Sequence, residues 1–147
     1  MESIFKTETY NTILNRIENI NETSSAKWGK MDVGQMLYHC QGPLNIMLQK
    51  KDYGLKPNWL IKIFVKKSLY NDKPYRKNLP TVPVFKIIES KDFKTEKKAL
   101  VNLIKELYKE KDKESWQPHP VFGKFTNEQW AKMQFKHLDH HLKQFGA

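Results

Sequence analysis

The chain has 147 residues, 39% of them hydrophobic and 12% aromatic, with 26 Lys and Arg against 16 Asp and Glu, for a net charge of +10. That apolar share excludes a disordered chain, and the length suits one domain, residues 1–147, with a core that needs no disulfide or metal staple. The lone Cys40 rules out an internal disulfide, the amino-terminal MESIFKTETY lacks the pattern of a secretory signal, and no apolar run approaches the roughly 20 residues of a membrane span, so the expectation is a cytoplasmic protein.

The positive charge invites nucleic acid or an anionic membrane surface as partner. The lysines are scattered, however, and often stand beside acids, as in KELYKEKDKE, with no arginine cluster and no RNP-like aromatic pattern. Solvated faces account for them. A basic adaptor for nucleic acid or membranes is the minor alternative, and no specific nucleic acid is expected.

In chain order, TYNTILNRIENI places Tyr10, Ile13, Leu14, Ile17 and Ile20 at helical spacing. MDVGQMLYHCQGPLNIMLQK then opens with Asp32 and, three residues on, Gln35, the arrangement of a capping box that starts a second helix. Pro43 cannot donate to the His39 carbonyl, so this helix either kinks or ends near Gly42. Trp59 to Tyr70 reads as a short basic amphipathic helix across the bundle, with membrane-surface docking as the alternative. The next stretch, NDKPYRKNLPTVPVFKIIESKDF, carries Pro74, Pro80 and Pro83 and reads as a long loop that covers the core or forms a lid.

From Thr95, TEKKALVNLIKELYKE sets Leu100, Leu103, Ile104, Leu107 and Tyr108 on one face, the clearest helix of the chain. Thr126 and Gln129 form a second capping box, and a last helix runs from about Asn127 to Phe145 before Gly146 ends it. Four main helices without alternating strands predict an all-α fold, a four-helix bundle with an extra short helix.

Three of the five histidines crowd into KHLDHHLKQFGA. At about 100° per residue, Trp130, Gln134, His137 and His141 share a sector that Trp130 marks as buried, flanked by Met133 and Phe145, with Lys132, Lys136, Asp139 and Lys143 opposite. His140 falls toward the flank. Two imidazoles one turn apart can offer nitrogens to one divalent ion, and His39 on the second helix is the natural third ligand. Three neutral histidines would leave open positions, as catalytic metal sites do. The competing reading makes His137 and His141 hydrogen-bonded core residues. His119, in HPVFG, reads as a turn or pocket-rim residue, and Cys40 as a small core residue rather than a nucleophile.

MDVGQMLYHC, HPVFGKFT and EQWAKMQFKHLDHHLKQFG, in that order, resemble the DinB-like (YfiT-like) metalloenzyme superfamily, in a branch whose function is unknown. The resemblance implies a four-helix bundle of up-down-down-up topology, often homodimeric. It also implies a divalent ion, commonly nickel or zinc, on one histidine of the second helix and an HxxxH pair on the last, which fall on His39, His137 and His141. Relatives of this kind include transferases and isomerases that use low-molecular-weight thiols. The function expected is therefore that of a metal-dependent hydrolase or thiol-dependent transferase acting on a small molecule. The alternative is a non-catalytic metal-binding or stress-related bundle.

Overall fold

The computed structural model describes residues 2–147. Among these the chain is all-helical: α1 (Thr7–Asn19), α2 (Val33–Met47), α3 (Trp59–Val65), α4 (Phe93–Lys109) and α5 (Asn127–Gln144), with 3-10 turns at Lys66–Leu69 and Pro83–Phe85. Its only extended pairing is an isolated bridge between His119 and Gly123.

Both predicted capping boxes form. The Asp32 carboxylate accepts from the Gln35 N–H at 2.8 Å while the Asp32 N–H donates to Gln35 Oε1 at 2.9 Å, so two otherwise orphaned backbone donors are satisfied at the start of α2. At α5, Thr126 and Gln129 make the same exchange at 3.1 and 3.0 Å. α4 starts two residues before the expected Thr95, because Asp92 caps it by accepting from the Thr95 N–H at 2.8 Å.

α2 packs against both α4 and α5, and α1 against the same two helices. Between them lies a core in which Ile13, Ile17, Met36, Leu37, Leu44, Leu100, Ile104 and Leu107 have no solvent exposure. Arg16 ties α1 to the end of α5, donating to the Asp139 carboxylate at 2.8 Å and to the Ala147 carbonyl at 2.9 Å. The Lys97 ammonium of α4 closes the end of α1 by donating to the Glu18 and Ile20 carbonyls at 2.9 and 3.0 Å, the expected use of a cation at a helix C-terminus.

Three expectations need revision. Of the two outcomes open at Pro43, an end near Gly42 is not the one taken: α2 runs through Pro43 to Met47. Leu44 and Met47, 0% and 2% exposed, hold the last turn in the core, and the Pro43 carbonyl takes a hydrogen bond from Gln134 Nε2 at 3.0 Å. The stretch from Trp59 to Tyr70 is only partly α-helix, tightening to a 3-10 turn at Lys66, and no residue of α3 is buried.

The third correction concerns α5. Lys136 does not face solvent but is 5% exposed, and its ammonium donates to the Ser68 carbonyl and to the Asn71 carbonyl and side-chain oxygen. α5 is covered on that side by the connector after α3, and the lysine stem crosses the apolar layer to reach its carbonyls.

Candidate metal centre

His39 comes from the middle of α2, and His137 and His141 from one face of α5. The bond from Gln134 to the Pro43 carbonyl fixes the register of the two helices, since Pro43 lies one turn beyond His39 and Gln134 one turn before His137. The three rings form a nearly equilateral triangle, with centroids 5.0 Å apart for His39 and His137, 4.7 Å for His39 and His141, and 4.7 Å for His137 and His141. One nitrogen from each lies within 4.8 Å of the others, the arrangement of a group able to hold a metal ion.

Each ring nitrogen can be assigned a role from what it faces. His39 Nδ1 sits 3.0 Å from the Phe85 carbonyl, which can only accept, so Nδ1 carries the proton and Nε2 presents a lone pair to the centre. His141 Nδ1 lies 2.8 Å from Gln144 Oε1, and the amide of Gln144 is held the right way round by donating to the Trp28 carbonyl at 2.7 Å. This leaves His141 Nε2 as an acceptor too. Outer partners of this kind set the tautomer and orientation of metal-ligating histidines.

His137 is different. Its Nε2 lies 3.1 Å from His39 Nε2, and its Nδ1 is buried with no hydrogen-bond partner. With Nε2 turned to His39, the unpaired Nδ1 is a cost of about 1–3 kcal/mol that the site bears, as the core bears the unpartnered Nε1 of Trp116 and Trp130.

Electrostatics keep all three imidazoles uncharged. Burial pushes the His141 pKa down to about 3, with His39 adding to the effect. Burial first, and then the neighbouring histidines, put His137 well below its ordinary value, and burial lowers His39. Neutral imidazole is the form that binds a metal.

The remaining sequence candidates fall outside the triangle. His140 is half-buried, edge-on to Trp28 and Tyr75 at 5.7 and 5.6 Å. The His119 Nδ1 accepts from the Val121 N–H at 3.0 Å, and its ring lies tilted against Trp130 and Phe122, so it is the turn residue its context suggested. The Cys40 thiol is 1% exposed beside Met36, and burial pushes its pKa up, away from the thiolate a nucleophile needs.

Gln144 and Phe85 escaped sequence reasoning. Gln144 stands three residues after His141, where a side chain on the same helix face can reach it, so its signal was present. Phe85 comes from the long connector, and its position depends on Gly42: a Cβ there would stand 2.9 Å from the Phe85 ring. His39 also forms one wall of a cleft of about 230 Å³ shared with Tyr38, Lys51, Tyr53 and Phe85. The Lys51 ammonium lies 5.0 Å over the Tyr53 ring and 3.3 Å from the Tyr38 hydroxyl.

Fold and site together define an all-helical protein with three converging histidines able to take a metal ion. Residues 3–147 match the family described as "Protein of unknown function (DUF1569)", and the chain belongs to that family. No curated protein and no solved structure matched it.

Proposed function

We propose that this single domain is a divalent-metal-dependent enzyme whose ion, nickel or zinc, is held by His39, His137 and His141. The observation that carries this reading is the triangle of neutral imidazoles, two of them with the proton fixed on the outward nitrogen and the third, His137, bringing its Nε2 to 3.1 Å from the Nε2 of His39. The spacing fits: nitrogens that share an ion at about 2.0–2.1 Å can be at most about 4.2 Å apart, and His39 and His137 already meet that limit at 3.1 Å. Small rotations of the rings bring the widest pair, within 4.8 Å, inside it.

A divalent ion at such a site lowers the pKa of a bound hydroxyl or thiol and polarises a carbonyl or phosphoryl oxygen, the chemistry of a hydrolase or a thiol-dependent transferase. The protein's own residues do the rest. Gln144 and the Phe85 carbonyl orient the ligands. The cleft beside His39 receives a small molecule, possessing aromatic walls at Tyr38 and Tyr53 and a cation at Lys51. Such a substrate includes a low-molecular-weight thiol.

The helices α1, α2, α4 and α5, with their pairwise packing, support a DinB-like four-helix bundle of up-down-down-up topology. That assignment carries a homodimer with it, to be read from sedimentation velocity. The free thiol of Cys40 and the absence, among the described residues, of any helix long and apolar enough to cross a membrane support a cytoplasmic protein.

The test is metal analysis of protein prepared without a histidine tag, followed by assays on activated esters and on thiol plus electrophile. One equivalent of metal, lost in His137→Ala and His141→Ala, and turnover abolished by a chelator and restored by metal, are expected. Protein that cannot be loaded at neutral pH contradicts the site. Activity that survives complete metal removal contradicts the mechanism, and loaded protein without turnover on any substrate class favours a non-catalytic metal binder. Because burial lowers all three imidazole pKa values, proton competition for the ligands sets in below the ordinary histidine value near 6.5, not at it.

A further inference from the structure

The segment between α2 and α4 concentrates two properties that a folded surface normally keeps apart. All ten of the large hydrophobic side chains exposed among the described residues fall between 59 and 88, led by Ile88 at 80%, Phe64 at 78%, Trp59 at 69% and Ile63 at 62%. Residues 53–88 also hold eight Lys and Arg against the one acid Asp72, so they account for seven of the ten net positive charges. Elsewhere the chain is close to balanced.

α3 buries no face. All seven of its residues are exposed, and the segment is held to the body of the protein just beyond it, where the Lys66 ammonium donates to the Lys124 carbonyl and lies 4.6 Å over the Phe125 ring. A surface helix in water ordinarily buries its apolar face, and apolar patches of this kind mark interaction sites.

We propose that this face, α3 together with the connector through Ile88, docks on an anionic lipid surface. Charge complementarity selects that occupant. Aliphatic and aromatic side chains enter the boundary between headgroups and acyl chains, while Lys56, Lys67, Lys73 and Lys77 meet lipid phosphates, each worth a modest electrostatic gain near a negative membrane. A second copy of the chain would set the same cations against each other, and like charges brought face to face oppose association. Nucleic acid would gain nothing from the Ile, Val and Leu side chains, which offer no stacking surface.

The experiment is co-sedimentation of the full chain with vesicles of phosphatidylcholine alone or mixed equally with phosphatidylglycerol, at low and high salt. The wild type is compared with a charge-neutral variant carrying Trp59→Gln, Ile63→Gln and Phe64→Gln, exposed positions where a helix-compatible residue leaves the core untouched. Binding to the anionic vesicles only, weakened by salt and reduced at least about tenfold in the variant, is expected, with metal content unchanged. Equal binding by variant and wild type reduces the effect to adsorption of a basic protein and overturns the proposal. So does failure to bind, or a dimer in solution that the variant abolishes, which assigns the face to a second copy.

Discussion

The ring of His141, a proposed metal ligand, is oriented by a neighbour with no such role. Gln144 accepts its Nδ1 proton at 2.8 Å and is anchored in turn on the Trp28 carbonyl. Replacing it by leucine keeps the volume but frees the ring to rotate and change tautomer. Gln144→Leu should lower metal affinity by about 10–100-fold, measured by competition with a chromophoric chelator, while the helix content by circular dichroism stays constant. Gly42 acts on His39 from the other side. A methyl group there meets the Phe85 ring at 2.9 Å and pushes away the carbonyl that fixes the His39 tautomer. Gly42→Ala is therefore expected to weaken metal binding even though alanine is the better helix former by about 1 kcal/mol.

His119 contributes to the pH dependence of stability alongside the three buried histidines of the triangle. Burial, with Lys66 adding to it, pushes its pKa from 6.5 down to about 4, so the unfolded chain takes up the proton first as pH falls. Its contribution to stability is complete above pH 6.5 and is lost between 6.5 and about 4, on the order of 3 kcal/mol in total. His119→Asn keeps an acceptor for the Val121 N–H but cannot titrate. Urea unfolding across that pH range should show a shallower decline for the variant, and parallel curves would remove His119 as a contributor.

At the scale of elements, the helix starts were legible because their signals are local. Asp32 with Gln35, and Thr126 with Gln129, need only their own four residues to form a capping box. α5 was harder. A helical wheel shows one buried face, whereas α5 is covered on a second side by the segment around Ser68 and Asn71, contacts that join residues 65 and 68 positions apart. No periodicity reports a lysine whose stem passes through an apolar layer to cap carbonyls beyond it. Lys136→Met should cost about 1–3 kcal/mol, because it strands those oxygens, and hydrogen exchange should quicken in Lys66–Leu69 before it does in α4. Unchanged exchange there would mean that Lys136 does not anchor the connector. The stretch from Trp59 to Tyr70 differs for a related reason. Its composition is basic and amphipathic, but where it meets the body of the protein is decided by partners of Lys66 such as Lys124 and Phe125, remote in the chain.

Across the whole molecule, the histidine triangle was legible from two facts: the i, i+4 spacing of His137 and His141 beside buried Trp130, and the placement of His39 among Met36 and Leu37 on another core helix. Its supporting shell was not, because the Phe85 carbonyl comes from a proline-containing connector and backbone groups leave no mark in a residue pattern. The same connector shapes the cleft beside His39 and carries the exposed apolar and basic face, so the region least regular in sequence borders both proposed surfaces. The central claim is that three imidazoles from α2 and α5 share one ion. It is tested most directly by an anomalous-difference map at the metal edge from crystals of tag-free protein grown with nickel or zinc. One peak within about 2.3 Å of a nitrogen from each of His39, His137 and His141 is the predicted result, and a map with no peak there, or with the ion held by other residues, would contradict it.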